Sequence, residues 1–235
     1  APSGSGKTLI GTLAVGNTLF MDLGCAVYLV PYKALAVQKE EEFTEAFEPF
    51  GLNAKAVTGD TEFEDANLAE VNLLISTYEK FDALLRQRDG YLDRLKTVVV
   101  DEIHELNSGT RGANLEFLMV RMFSLVPFVQ LVGLSATINN PEFLTSWLNQ
   151  LTPEGRDFNL IKSHTRPVKL EYRLQVAENK ERALREHVDR VINDGGQVLI
   201  FVNRRKDCTK LCDALKATVK RSLNYQEQHD ADTMN

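Results

Sequence analysis

Ala1-Pro-Ser-Gly-Ser-Gly-Lys-Thr8 runs straight into an amphipathic stretch, Lys7–Leu23, and then into an apolar run, Ala26–Val30. Glycine adopts the left-handed backbone that lets successive N–H groups point at one anion. A helix opening at Lys7 adds the positive end of its dipole to the same place. The octapeptide reads as a phosphate-binding loop. Ser3, Gly4, Ser5, Gly6, Lys7 and Thr8 would surround the phosphates, with Lys7 as a point charge on the β- and γ-oxygens and the Thr8 hydroxyl on Mg²⁺. Ala1 stands where the GxxxxGK[ST] pattern has its first glycine. A glycine-serine turn that happens to precede Lys-Thr is the competing reading, and the helix and strand that follow weigh against it.

Beyond this loop, short apolar runs alternate with longer amphipathic ones. The predicted strands are Ala26–Val30, Ala54–Thr58, Asn72–Ser76, Thr97–Asp101, Val129–Ser135, Val168–Leu174 and Gln197–Val202. Several are continuous valine-rich runs, as strands covered on both faces require. The predicted helices are Lys7–Leu23, Ala34–Phe47, Tyr78–Arg86, Gly112–Leu125, Pro141–Leu151, Asn179–Asn193 and Arg204–Ala217. Alternating β and α elements imply an α/β fold with a parallel sheet flanked by helices, with ligands at the carboxyl ends of its strands. The 235 residues hold about one and a half domains at roughly 150 residues each. A break falls near Thr152–Arg156. Residues 1–152 form a first domain, 153–178 a connecting segment, and 179–235 the start of a second. The chain opens at the phosphate loop, without a strand to feed it, and ends after one strand and one helix of the second unit. It reads as a fragment of a longer protein, with a polar tail at Tyr225–Asn235.

The second local signal is Val98-Val-Val-Asp101-Glu102-Ile-His104. Two carboxylates at the end of a buried strand need a reason to be there. A Mg²⁺ held through water by Asp101 supplies one, and Glu102 is then the candidate general base for an attacking water. His104 would link this site to another part of the protein. An acidic strand end capping the next helix is the bland alternative, weakened by the phosphate loop upstream.

Composition sets limits. Hydrophobic residues make up 43% and charged residues 26%, enough to bury a core. No apolar run reaches the length of about 18 residues that a membrane helix needs, and the N-terminus lacks the pattern of a signal peptide. Cys25, Cys208 and Cys212 make no CxxC pairs, so neither a zinc site nor a disulfide framework is expected, and reduced thiols suit a cytoplasmic location. Net charge is −6, but its distribution is uneven. Residues 1–160 carry 12 basic and 22 acidic groups, and residues 161–235 carry 15 and 11, for nets of −10 and +4. Any site for a polyanion must therefore be local.

APSGSGKT, PYKALAVQK, ISTYEK, DEIH and SAT, in that order, resemble motifs I, Ia, Ib, II and III of the superfamily 2 helicases, with the DExH spelling. PYKALAVQKEEEF, TGD, TYEKFDALLR and SGTRGANLEFLMVRM are most similar to the Ski-two-like group, which holds archaeal DNA repair helicases and eukaryotic RNA helicases. The resemblance spans residues 1–215. It implies a RecA-like P-loop NTPase domain, the beginning of a second RecA-like domain at QVLIFVNRRKDCTKLCDAL, and ATP with Mg²⁺ as cofactors. It also implies a single-stranded or forked nucleic acid as partner, and monomeric action away from membranes. Motif Ia places Lys33, Ala34 and Gln38 at the nucleic-acid backbone. The TGD and Ib matches place Thr58, Gly59 and Thr77 there, and the segment after the acidic box adds Arg111. Thr77 serves equally as a helix N-cap. Ser135 and Thr137 of SAT, with His104, would couple hydrolysis to unwinding. In the family, transition-state arginines come from the second domain, beyond Asn235 here.

The leading reading is an ATP-dependent helicase acting on DNA, toward which details of motifs Ia and Ib lean. A Ski-two-like RNA helicase is the alternative. A P-loop switch ATPase and a degenerate nucleic-acid-binding module are more remote, since the first needs neither TYEK nor motif IV and the second would not keep Lys7, Asp101 and Glu102. Other features read as structural. Cys208, Leu211, Cys212 and Leu215 share a packing face, Trp147 belongs to a core, Glu40–Glu42 is a solvated helix face, and His164, His187 and His229 lie at the surface.

Overall fold

Five strands, Cys25–Val30 (β1), Ala54–Val57 (β2), Leu73–Thr77 (β3), Leu95–Val100 (β4) and Gln130–Gly133 (β5), pair in the order β2–β3–β1–β4–β5 in the computed structural model, which describes residues 4–59, 67–136, 138–153, 156–163, 165 and 168–216. Every pairing is parallel. The helices are Lys7–Phe20 (α1), Lys33–Phe47 (α2), Tyr78–Gln87 (α3), Gly109–Leu125 (α4), Pro141–Leu151 (α5) and Lys180–Asn193 (α6), and residues 205–216 are also helical.

Successive strand side chains point to opposite faces. On β1, Ala26, Tyr28 and Val30 pack with Val15 and Leu19 of α1 and Phe43 and Phe47 of α2. Cys25, Val27 and Leu29 pack on the other side with Phe81 and Leu85 of α3, Leu115 and Met119 of α4, and Leu148 of α5. All six residues of β1 are fully buried, as a central parallel strand under two helical layers must be. Each such aliphatic or aromatic side chain contributes roughly 1.5–3 kcal/mol by leaving water. The sheet is the doubly covered α/β fold that the sequence predicts.

The register decides where chemistry can occur. Val30 of β1 pairs with Thr77 of β3, and Leu29 pairs with Val100 of β4. The residues that follow these strands therefore emerge side by side: Pro31–Lys33, Thr77–Lys80 and Asp101–Glu102. At the sheet edge, Glu40 is more than a solvated residue. Its Oε1 accepts from the outward-facing Ala56 N–H of β2 at 3.0 Å and lies 3.4 Å from Lys55 Nζ, protecting an exposed strand edge.

Contacts divide the chain into two units, Ala1–Leu170 and Glu171–Asn235. The sheet lies in the first, and α6 with the helical residues 205–216 in the second. Two predicted strands, Val168–Leu174 and Gln197–Val202, carry no ladder. Their side chains are open, with Leu174 96% and Phe201 85% exposed. A strand exists only in a pair, and among the described residues neither segment is laddered to another strand. The packing face of residues 205–216 also differs from the prediction. Cys208 and Cys212 are exposed, whereas Leu215 is buried; the covered side runs through 207, 211, 214 and 215, one residue round the helix from the predicted stripe. Among the described residues, no helix is long and apolar enough to cross a membrane.

Burial pushes the Cys25 thiol and the Tyr28, Tyr78 and Tyr91 hydroxyls above their ordinary pKa values. In alkali the unfolded chain gives up these protons while the native chain keeps them, so stability falls as pH rises. The decline should begin near pH 8.5 with the thiol and steepen above about pH 10, where each tyrosine adds up to about 1.4 kcal/mol per pH unit. Urea melts between pH 7 and 11 measure it; a midpoint unchanged at pH 11 would contradict the burial of these groups.

Candidate nucleotide site and nucleic-acid cleft

Gly4 and Gly6 hold φ of 76° and 81°, the left-handed conformation that alternates N–H groups into an anion-binding nest. Nothing lies within 4 Å of a Cβ built on either, so glycine is needed there for backbone conformation rather than for space. Gly6 is the N-cap of α1, and no acidic side chain occupies the first turn. Lys7 and Thr8 begin the helix, where dipole and charge favour an anion. Ser3 lies outside the described residues.

α1 also sits very close to the sheet. A Cβ on Gly11 would lie 3.0 Å from the Tyr28 ring and 3.1 Å from Val99 Cγ1. The Tyr28 hydroxyl in turn donates to Asp101 Oδ2 at 3.3 Å. Asp101 Oδ1 accepts the Glu102 N–H at 3.0 Å, and the Tyr78 hydroxyl donates to the Asp101 carbonyl at 2.5 Å. The Asp101 carboxylate and backbone are thus held from both layers of the fold. Sequence reading missed both tyrosines, because each meets Asp101 only through pairing of distant strands.

Glu102 has φ 53° and ψ 43°. This left-handed position costs a non-glycine residue about 1–2 kcal/mol. Its Oε2 is buried without a hydrogen bond. His104 Nδ1 lies 3.1 Å from that oxygen, a charge-pair distance without hydrogen-bond geometry. The same ring nitrogen is 3.4 Å from Ser135 Oγ. The structure thus brings Glu102, His104 and Ser135 together; Thr137 lies outside the described residues.

These groups suit a nucleotide carrying Mg²⁺. Mg²⁺ keeps several waters and takes only one or two protein oxygens beside phosphate oxygens. No cluster of three or more His, Cys, Asp or Glu residues able to hold a metal occurs among the described residues. A metal here would rest on Asp101, the Thr8 hydroxyl and the phosphates. Glu102 Oε2 is buried beside His104 Nδ1, and a carboxylate so placed next to a phosphate site is of the type that serves as a general base.

Beside this site lies an open cleft of about 460 Å³, lined among others by Tyr32, Lys33, Gly59, Thr77, Lys80 and Arg111. Four of its residues, Lys33, Gly59, Thr77 and Arg111, are ones the motif matches select. Thr77 caps α3, its Oγ1 accepting the Lys80 N–H at 3.4 Å. The Lys33 stem runs against Gly59, where a Cβ would be 3.1 Å from Cε. The Arg111 guanidinium stacks over the Tyr32 ring at 4.6 Å, with Nη1 3.9 Å from Glu105 Oε2. Its lining residues include Lys33, Lys80 and Arg111 with the carboxylate of Glu79, while Glu105 faces Arg111 from outside the lining, a local gathering of basic groups in a unit whose overall charge is acidic. Ala34, Gln38 and Thr58 are not among the lining residues; Gln38 instead donates to Glu42 at 2.8 Å. Lys80, which the motif matches do not select, joins the lining because it lies one turn along the helix that Thr77 caps. Asp60, the last residue of the TGD match, lies outside the described residues.

A glycine-rich loop on a helix N-terminus, beside an acidic strand end in a parallel sheet, defines the class: a P-loop α/β domain. A family model described as DEAD/DEAH box helicase matches residues 1–144, more than half of the chain. The chain belongs to that family. It is 39% identical over 235 residues to the ATP-dependent DNA helicase Hel308 of Pyrococcus abyssi, and 40% identical over 235 residues to that of Pyrococcus horikoshii, covering 96% of this chain in each case. It spans 31% of the length of either relative. The crystal structure of the DUF1998 helicase MrfA superposes with a TM-score of 0.78 at 22% identity, over 95% of this chain and 36% of that one. A structure of MrfA bound to DNA and AMPPNP gives 0.77 at 21% identity, over 94% and 33%. At these identities the likeness to MrfA is one of fold.

Proposed function

We propose that this chain is the nucleotide-binding part of an ATP-dependent DNA helicase that works in the cytoplasm as a monomer on single-stranded or forked DNA. Residues 1–152 form the first RecA-like domain, 153–178 the connection, and 179–235 the start of a second such domain. The observation that carries the reading is the convergence of the predicted backbone-contact residues Lys33, Gly59, Thr77 and Arg111 in one cleft, at the strand ends that also present Asp101 and Glu102. Relatives named as DNA helicases favour DNA over RNA.

In this reading the loop N–H groups and Lys7 bind the phosphates of ATP, and Asp101 with Thr8 holds Mg²⁺, which neutralises phosphate charge when bound. Glu102 orients the attacking water and takes its proton at Oε2. His104 passes the state of Glu102 to Ser135 and the segment after β5. Lysine, arginine and threonine contacts to phosphates carry no base sequence, so strand binding is non-specific and weakens with salt.

The test is ATP hydrolysis by the full-length protein with single-stranded DNA or RNA added in parallel. DNA is expected to stimulate about tenfold, which asks for only about 1.4 kcal/mol off the barrier, and RNA less. Stimulation by RNA alone would move the protein to RNA processing. Indifference to both would favour a P-loop switch.

A further inference from the structure

The glutamate proposed to activate water sits in a backbone conformation that its own side chain disfavours. Such strain persists only where neighbours over-determine it. The Asp101–Glu102 peptide shows what does so. Its N–H is held by Asp101 Oδ1 at 3.0 Å, and its carbonyl by the Tyr78 hydroxyl at 2.5 Å. Tyr78 is 1% exposed, and burial raises its pKa so that the hydroxyl stays a donor at any physiological pH.

Tyr78 is also the first residue of α3, directly after the cap Thr77. Its neighbours Thr77, Glu79 and Lys80 face the cleft, while its own ring packs into the core against the acidic strand end. One turn of helix therefore touches the nucleic-acid cleft with one side and the catalytic peptide with the other. A second connection runs parallel to it. The short helical turn Ile103–Asn107 carries His104 toward Glu102 and Glu105 toward Arg111, which reaches the cleft over Tyr32.

We propose that Tyr78 is a positioning residue that couples occupancy of the cleft to the placement of Glu102. A phosphate held by Thr77 and Lys80 shifts or stiffens the first turn of α3, and the Tyr78 hydroxyl transmits this to the Asp101–Glu102 peptide. The inference rests on the helicase reading above.

The experiment is Tyr78→Phe in the full-length protein, which keeps the ring and removes only the hydroxyl. The readouts are the stimulation factor (the ratio of ATPase rates with saturating single-stranded DNA and without it), the DNA concentration for half-maximal effect, and the KM for ATP. The factor should fall about five- to tenfold, the size of one lost hydrogen bond, with the other two within about twofold. Lys80→Ala, which weakens the phosphate contact itself, should raise the half-maximal DNA concentration, the readout that Tyr78→Phe leaves within about twofold. An unchanged factor in Tyr78→Phe overturns the proposal, as does a rise in half-maximal DNA concentration that accounts for the loss. A thermal melt matching the wild type excludes misfolding, and Tyr78→Trp, which restores a buried ring donor of different reach, should leave the factor low. The wild-type protein is measured beside them. If neither DNA nor RNA stimulates it, the helicase reading itself fails, a result distinct from a Tyr78→Phe protein that is stimulated as well as wild type.

Discussion

Glu102→Gln in the full-length protein is expected to lower ATP hydrolysis about 10²–10⁴-fold, the range that a positioned general base supplies, while nucleotide still binds. Glutamine keeps the size of the side chain and cannot accept the proton. The geometry makes Glu102 the stronger candidate of the two carboxylates. Both Asp101 oxygens already accept hydrogen bonds, from Tyr28 and from the Glu102 N–H, whereas Glu102 Oε2 is buried without one. Lys7→Ala should separate the roles, losing binding of nucleotide as well as turnover, because Lys7 stands at the phosphate end of α1. Fluorescent-nucleotide titration and steady-state hydrolysis read the two effects. A Glu102→Gln protein that turned over ATP at the wild-type rate would remove Glu102 from the chemistry.

What the sequence discloses here follows from how far each interaction reaches along the chain. The phosphate loop is local: glycine at positions 4 and 6, lysine and threonine at the helix start, all within eight residues. The valine-rich runs are local too, and β1, β3, β4 and β5 fall within a few residues of their predicted ends. Helix α5 starts where predicted because Asn140 caps it and Pro141 occupies its first position, signals written into adjacent residues. Helix α4 begins earlier than predicted, at Gly109, with the Gly112 N–H already donating to the Ser108 carbonyl at 2.9 Å. Strands 168–174 and 197–202 show the limit. Their apolar pattern is real, but a ladder needs a neighbour that the pattern itself does not contain. The same is true of the site. The motif matches find Lys33, Gly59, Thr77 and Arg111 singly, and only the parallel register brings them to one cleft. Tyr28 and Tyr78 read as ordinary core aromatics until the fold aims their hydroxyls at Asp101.

Gly112→Ala is expected to be the most destabilising of single-atom-scale changes in this region. A Cβ there would stand 2.3 Å from the Leu106 carbonyl oxygen and 3.0 Å from that of Glu105. The obstacle is backbone, which cannot rotate aside as a side chain would. Overpacking costs roughly 1–3 kcal/mol, and a clash with a carbonyl belongs at the upper end. Alanine's better helix propensity returns at most about 1 kcal/mol. The net, about 2 kcal/mol or more, corresponds to a fall in melting midpoint of roughly 4–8 °C for a unit of this size. The control is Gly90→Ala, where nothing lies within 4 Å of the added carbon; a surface change of that kind stays within about 0.5 kcal/mol. The consequence for function is separable from the loss of stability. To relieve the clash, α4 must move away from the turn Ile103–Asn107, which holds His104 beside Glu102 and Glu105 beside Arg111. Hydrolysis below the melting range should therefore respond less to DNA in Gly112→Ala, whereas Gly90→Ala should match the wild type in both respects. Equal melting midpoints for the two variants would show that the turn yields without cost, and would leave Gly112 no part in fixing the acidic strand end.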